Sequence, residues 1–424
     1  MREAEAPTRK TIEAVWRIEA ARLIGGLVRL VRDVERAEDL AQEALVTALE
    51  RWPEAGIPDN PGAWLMTTAK NRAVDEARRR AMMDDKHGEI ERTGAQWTTL
   101  DEEALDEAVE DDVLRLVLVA CHPVLSKDAR VALTLRLVAG LSTAEIARAF
   151  LTTEATMAQR IVRAKRTLSE AKVVFEVPTG DDLHARIPKT LEVVYLVFNE
   201  GYAATAGEDW LRSDLCDEAM RLGRILAGLV PDDAEVHGLL ALMELQASRA
   251  RARVGPRGEP VTLADQDRGK WDRLLVTRGL ASLDRAQALR RPLGPYTLQA
   301  AIAACHAAAN RFEDTDWVRV LALYDALVEL TGSPVVELNR AVAVSMAYGP
   351  AQALSLVDEL CDEPALSDYH LLPAVRGDLL LKVGRRAEAK AEIEKAARMA
   401  TNARERDLLL ARAAACVEEP SLSN

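Results

Sequence analysis

The apolar residues of this chain recur at intervals of three and four along most of its length, a period that the α-helix turns into one continuous buried stripe. From Thr11 to about Arg80 the stripe reads Val15, Ile18, Leu23, Leu27 and Leu30, then Leu40, Ala44, Leu45 and Leu49. Val113 to Lys172 is periodic in the same way, and after Pro178 come Ala- and Leu-rich segments separated by single Gly or Pro residues. The expected fold class is therefore all-α. Composition closes off the competing classes: aromatic residues make up only 4% of the 424, and 22 Gly with 17 Pro are too few for a collagen-like or low-complexity chain.

Breaks in the periodicity set the expected domains. Trp52-Pro53-Glu54-Ala55-Gly56-Ile57-Pro58-Asp59-Asn60-Pro61 holds three prolines and a glycine and is expected to be a loop, with Asn60 capping, and Pro61 opening, a helix that runs from Trp64 to Arg80. Residues 82–112 carry twelve acidic and two basic side chains with few large apolar ones, the composition of an acidic flexible linker whose last part begins the next helix. Gly140-Leu141-Ser142-Thr143-Ala144-Glu145 reads as a helix end followed by a capping box, Ser142 the cap and Glu145 three residues on, and Thr153 signals a second cap after a short helix from Thr143 to Phe150. The expected domains are 1–81, the linker 82–112, 113–175 and 176–424.

In the last domain a weak repeat is legible. The small–large–small pattern of the second helix of a tetratricopeptide (TPR) repeat fits Val320/Tyr324/Leu327, Ala353/Val357/Leu360 and Ala389/Ile393/Ala396, at spacings of 33 and 36 residues. Gly377 stands twelve residues before Ala389, where the first helix of such a repeat needs a small residue, and Ala219 with Pro231 twelve residues later hints at another unit. A TPR-like helical solenoid is the expected architecture there, an irregular helical bundle the alternative.

The net charge of −13 is unevenly spread: residues 1–80 carry fourteen basic and fourteen acidic side chains, residues 113–175 ten and four, and residues 176–424 twenty-nine and thirty-eight. A basic helical block in an acidic protein is a candidate nucleic-acid surface, a solvated face being the other reading. That block has helix-turn-helix form. Ile146, Ala147, Phe150, Met157 and Ile161 supply a small core, while the second helix presents Glu154, Thr156, Gln159, Arg160 and Arg163 to base edges or phosphates in a major groove, with Lys165 and Arg166 at its end for the backbone.

The first block carries an independent signal. Asp39, Gln42 and Glu43 share one helical side, then come the proline loop and Trp64-Leu65-Met66-Thr67-Thr68-Ala69-Lys70-Asn71-Arg72-Ala73-Val74-Asp75-Glu76-Ala77-Arg78-Arg79-Arg80. This order, D-x-x-Q-E, loop, W-L-x-x-x-A-x-N-x-x-x-D and a basic tail, followed by an acidic linker and a helix-turn-helix ending R-A-K-R, resembles the extracytoplasmic-function (ECF) sigma factors of bacterial RNA polymerase over roughly residues 11–172. The resemblance implies a sigma-2-like domain and a sigma-4-like domain. It implies that Asp39, Gln42 and Glu43 contact core RNA polymerase, that the loop from Pro53 to Pro61 receives a base flipped from the non-template strand, and that Asn71, Arg72, Asp75, Arg78, Arg79 and Arg80 hold the minus-ten element. By the same resemblance the helix from Glu154 to Arg166 reads the minus-thirty-five element in double-stranded promoter DNA, and the acidic linker threads toward the RNA exit path. Trp64 reads as core rather than as a stacking platform. The turn Phe150-Leu151-Thr152-Thr153 lacks the glycine common in that family.

Tyr195-Leu196-Val197-Phe198-Asn199-Glu200-Gly201-Tyr202 followed by TPR-like helices resembles the ECF subgroup whose sigma domains are fused to a long regulatory helical extension. Tyr195, Phe198, Asn199, Glu200, Gly201 and Tyr202 are read as an interdomain contact, with a plain helix end as the alternative. The concave face of the solenoid is expected to take a protein or peptide partner.

Other chemistry finds little support. Cys121, Cys216, Cys305, Cys361 and Cys416 are scattered without a C-x-x-C pair, His122 beside Cys121 has no second pair at metal spacing, and no Gly-rich phosphate loop or nucleophile elbow occurs. No catalytic residue, metal or cofactor is expected. Nor is a membrane span or secretory leader, since no run of about eighteen apolar residues occurs, so a cytoplasmic location is expected. Two readings remain: a sigma factor with a fused control domain, and a helix-turn-helix regulator with a TPR-like sensor. A simple regulator needs no D-x-x-Q-E helix.

Overall fold

The computed structural model describes residues 2–83, 112–113, 115–150, 152–176, 181–202, 213–256 and 258–416. Among them every regular element is helical, an isolated bridge between Val254 and Pro260 apart. The chain forms two compact units, Met1–Leu196 and Val197–Asn424. The acidic linker expected at 82–112 lies outside the described residues from 84 to 111; Met82 and Met83 belong to a helix.

In the first unit α1 (Arg2–Val31), α2 (Val34–Ala55) and α3 (Pro61–Met83) pack together. The buried stripe of α1 runs through Ile12, Trp16, Ala20, Leu23 and Leu27, whereas Ile18, read from the sequence as part of that stripe, is 60% exposed. Asp33 caps α2 by accepting from the Arg36 amide at 2.8 Å, and Asn60 caps α3 by accepting from the Ala63 amide at 3.0 Å, with Pro61 at the first helical position as expected. The loop between them is shorter than its three prolines suggest. Pro53 lies inside the last turn of α2, where only two helical residues follow it, and the Gly56 amide closes that turn on the Trp52 carbonyl at 3.0 Å. Trp52 is buried and meets Trp64 edge-on at 5.2 Å between ring centres, so Trp64 packs on the core as its sequence context implied.

The same unit continues through helical residues 115–120, α4 (Lys127–Leu137), α5 (Thr143–Ala149) and α6 (Glu154–Glu170). The capping box is formed in both directions: Glu145 accepts from the Ser142 amide at 2.8 Å and Ser142 Oγ accepts from the Glu145 amide at 3.2 Å. Thr153 caps α6 through the Thr156 amide at 3.2 Å. Met157, Ile161, Ala164 and Leu168 bury one face of α6 against α4 and α5.

After α7 (Asp181–Tyr202) the second unit stacks α8 (Ser213–Leu229), α9 (Ala234–Ala247), α10 (Arg273–Ala288), α11 (Pro295–Ala308), α12 (Trp317–Thr331), α13 (Pro334–Tyr348), α14 (Pro350–Leu360), α15 (Leu371–Lys382), α16 (Arg386–Met399) and α17 (Ala403–Ala415). From α12 onward each helix packs mainly on its neighbours in sequence, the arrangement of a solenoid; α9 is buried nearly all round, between α8, α10 and α11. The repeat positions read from the sequence face this core: Val320, Ala353, Val357, Ala389, Ile393 and Ala396 have essentially no exposure. Gly377 shows why its position needs a small residue, since a Cβ there stands 2.6 Å from Ile393 Cγ1 and 3.0 Å from the Ala389 carbonyl oxygen.

Candidate nucleic-acid interface

The second helix of the helix-turn-helix divides its predicted contact residues by where its buried face falls. Glu154, Thr156, Gln159, Arg163 and Arg166 are open to solvent, Arg166 beside Glu170 on its own helix at 2.6 Å. Arg160 is half-buried and reaches Asp128 of α4 at 3.8 Å. Lys165 turns the other way: its side chain is 10% exposed and its ammonium pairs with Glu38 of α2. The reason is the helical period, because Lys165 adjoins Ile161, Ala164 and Leu168, whose face packs inward.

On α2, Asp39 and Glu43 share a face with Arg36, whose guanidinium forms ion pairs with Asp39 and Glu43 at 3.7 Å each and with Glu76 of α3. Gln42 is half-buried and lines a cleft of about 460 Å³ together with Arg17, Leu45, Arg136 and Glu145. Val46 lies on the Asp39–Gln42–Glu43 face, seven residues after Asp39, and is 52% exposed. Sequence reasoning passed over it because an apolar residue in a periodic helix reads as core; its place on a polar stripe was the available signal.

On α3, Asn71, Asp75, Arg78 and Arg79 are exposed, while the Arg80 side chain lies outside the described residues. Arg72 donates to Glu43 at 2.7 Å and to Thr47 Oγ1 at 2.8 Å, so two residues read from the sequence as belonging to different surfaces meet across α2 and α3. Burial, and then the charge of Arg29, pushes the Lys70 ammonium of this helix below its usual range.

The first three helices and the helix-turn-helix are docked on one another. Trp16 Nε1, buried on α1, donates to the Gly140 carbonyl at 3.1 Å. Gly140 has φ +70°, and a Cβ there stands 3.2 Å from Ala20 Cβ, so the position requires glycine on both grounds. Arg17 donates to Glu145 at 2.8 Å. Burial pushes the Glu145 carboxyl up, but the hydrogen bonds from Ser142 and the Arg17 charge outweigh it, leaving the group below the usual carboxylate range. Glu38, almost wholly buried, accepts from Arg136 Nε at 2.6 Å and forms an ion pair with Lys165. Farther along α1, Gly25 lets the backbone of Asp112 approach within van der Waals range, and the Asp112 carboxylate lies 3.3 Å from Arg29 and 2.6 Å from Arg115. None of these pairings was legible beforehand.

In the octapeptide, Tyr195 is largely buried, which raises its phenol above the usual range. Phe198 is buried and stacks on Tyr202, with ring centres 5.5 Å apart and planes 16° from parallel; Gly201 is buried, Glu200 half-exposed and Asn199 exposed. The Tyr202 hydroxyl accepts from Arg249, and its carbonyl from Arg253.

Residues 17–82 match the sigma-70 region 2 family and residues 115–168 the sigma-70 region 4 family, while residues 186–287 match a family of unknown function, DUF6596. An uncharacterised protein of Rhizobium meliloti is 44% identical over 395 residues, 90% of each chain. The ECF RNA polymerase sigma factor SigL of Mycobacterium tuberculosis is 30% identical over 166 residues, 39% of this chain and 90% of that one. The RNA polymerase sigma-H factor of Pseudomonas aeruginosa is 30% identical over 154 residues, 35% of this chain and 80% of its own. No solved structure matches.

Proposed function

Since the chain belongs to the sigma-70 family and is of the ECF type, we propose that it binds core RNA polymerase through Asp39, Gln42 and Glu43, directs it to a two-element promoter and helps open the DNA, under the control of its C-terminal helical unit. The supporting observation is the pairing, in one chain, of a polar stripe on α2, with Asp39 exposed and Gln42 and Glu43 half-buried, and a helix-turn-helix whose second helix presents Gln159 and Arg163 to solvent. A regulator that binds DNA without acting as a sigma subunit has use for the second feature alone.

In this reading Asn71, Arg72, Asp75 and Arg78 to Arg80 hold the minus-ten strand by backbone contacts, and Glu154, Thr156, Gln159, Arg160, Arg163, Lys165 and Arg166 serve the minus-thirty-five duplex. The docked arrangement then represents a resting state. Two elements centred roughly 25 base pairs apart lie about 85 Å apart along B-DNA at 3.4 Å per pair, whereas a compact body of this unit's size has a radius of gyration of only about 15 Å. Engaging both elements requires the Trp16–Gly140 and Glu38–Lys165 contacts to part, which also frees Lys165 for the DNA backbone. The segment from Tyr195 to Tyr202 is assigned to coupling between the C-terminal unit and the sigma regions, and the solenoid to a protein or peptide signal.

The test mixes the purified full chain with core RNA polymerase from the source bacterium, follows co-migration, and then measures run-off transcription from the promoter of its own operon. Co-migration with transcription supports the sigma reading; co-migration without transcription supports an inhibitory C-terminal unit. Absence of co-migration, with Glu38→Gln tested alongside to release the docked state, leaves the helix-turn-helix regulator as the better account.

A further inference from the structure

The second unit gathers arginines at one place on aromatic rings. Arg249 and Arg253 flank the 3₁₀ turn Ala250–Ala252, and Arg268 opens the turn Arg268–Lys270. The Arg253 guanidinium lies 3.6 Å from the Tyr202 ring centre, that of Arg249 5.9 Å from Tyr202 and 5.7 Å from Trp271, and that of Arg268 4.9 Å from Trp271. Among the described residues the hydrogen-bond partners of Arg249 are neutral, the Tyr202 hydroxyl and Gln246 Oε1. Those of Arg268 are the carbonyls of His306 and Ala309.

Three orphaned polar atoms sit in the same cluster. Arg268 Nη2, Trp271 Nε1 and His306 Nδ1 are buried and have no hydrogen-bond partner among the described residues, and Trp271 and His306 are each more than nine-tenths buried. Buried donors are ordinarily satisfied, and buried cations are ordinarily matched by an anion. Among the described residues the charges of Glu313 and Asp314 act on Arg268, but neither forms an ion pair with it, and Glu313 is exposed and lies 3.6 Å from Arg311 instead. Burial, then the charges of Arg249 and Arg268, holds His306 down to about 4, so the imidazole adds no positive charge near neutrality. Arginine stacked on a ring offers a rigid fork suited to a planar or tetrahedral oxyanion, which a lysine does not.

We propose that Arg249 and Arg268, beside Trp271 and His306, form a binding site in the C-terminal unit for a small oxyanion, the phosphate or carboxylate group of a soluble ligand. The site gives the C-terminal unit a chemical input separate from the helix-turn-helix and from the polar stripe of α2. Its ligand displaces no counter-ion among the described residues, satisfies Arg268 Nη2, and relieves the mutual repulsion of two guanidiniums that share one indole.

The test uses the full chain and needs neither polymerase nor promoter, so its failure and that of the sigma reading are distinguishable. Inorganic phosphate and acetate are titrated separately at constant ionic strength, with chloride as the balancing ion, while tryptophan fluorescence is followed. A saturable change with phosphate alone assigns a phosphate ligand, and one with acetate alone assigns a carboxylate. Arg249→Gln and Arg268→Gln each weaken the response at least tenfold, with helix content by circular dichroism as the folding control. Because Arg268 also holds two carbonyls, the unmodified protein provides a second readout: the effective anion protects Arg249 and Arg268, mapped by mass spectrometry, from the arginine reagent phenylglyoxal. No saturable response to either anion, or a response that the folded variants retain in full, overturns the proposal, as does equal phenylglyoxal labelling with and without anion.

Discussion

Replacing Glu38 by Gln removes one negative charge from between two cations while keeping nearly the same shape. Glu38 is 5% exposed, and its partners Arg136 and Lys165 are 17% and 10% exposed. Breaking such a pair by removing one partner typically costs about 3–5 kcal/mol because the remaining charge is stranded. Here the glutamine retains an acceptor for Arg136, and both cations keep some access to water, so the expected loss is about 2–3 kcal/mol. Applied to the docked–undocked balance, that is a shift of roughly 30- to 150-fold. Amide hydrogen exchange is the direct assay. Residues 12–24 of α1 and 136–141 around Gly140 exchange faster in the variant, whereas the Ala389–Ala397 core of α16, in the other unit, is unchanged. A cycle with Lys165→Met isolates the pairwise part, expected at about 1–3 kcal/mol for directly contacting groups. Exchange unchanged within threefold, or Glu38→Gln and Lys165→Met effects that simply add, would refute the reasoning that this carboxylate holds the two regions together.

Further predictions concern the DNA face, the solenoid and pH. With core polymerase and promoter DNA, Arg163→Ala weakens binding similarly on all sequences and lowers the slope of log K against log salt by about one, while Gln159→Ala costs about 1–3 kcal/mol at a single base pair; a competition series with single-base variants separates the two. Gly377→Ala drives a methyl into Ile393 and the Ala389 carbonyl and destabilises by about 1–3 kcal/mol in urea unfolding of the second unit. His306 is held to about 4 when folded and returns to its ordinary 6.5 when unfolded. The unfolded chain therefore binds more protons between those values, so stability contributed by the neutral imidazole is complete above pH 6.5 and falls as pH drops toward 4, by about 3 kcal/mol in all. His306→Gln flattens that part of the stability–pH profile; a parallel profile shows that other groups carry it.

What was legible in the sequence was local. The capping box at Ser142, the cap at Thr153, the Asn60–Pro61 start of α3 and the small residues at Ala353, Gly377 and Ala389 each depend on residues a few positions apart, and all appear in the structure as read. Pro53 misled because a proline in the last turn of a helix forfeits little, although the same residue in the interior ends it. Ile18 misled because period alone does not say where a stripe's edge falls. The inward turn of Lys165 and the burial of Glu38 were illegible for a different reason: each takes its partner from a helix far away in the sequence, and a charged residue gives no periodic sign of burial. The meeting of Arg249 and Arg268 on Trp271 is of the same kind, assembled by irregular turns that follow no period.

The separation of Trp16 from Gly140 is 124 residues, all of which must be synthesised before that hydrogen bond can form. At about 5–20 residues per second the interval is roughly 6–25 seconds. During it α1, α2 and α3 can fold on the ribosome through their own short-range contacts, with Glu38 still facing solvent and nothing yet covering the surface that the helix-turn-helix later occupies. Each newly made copy thus passes through an undocked youth before it acquires its resting form.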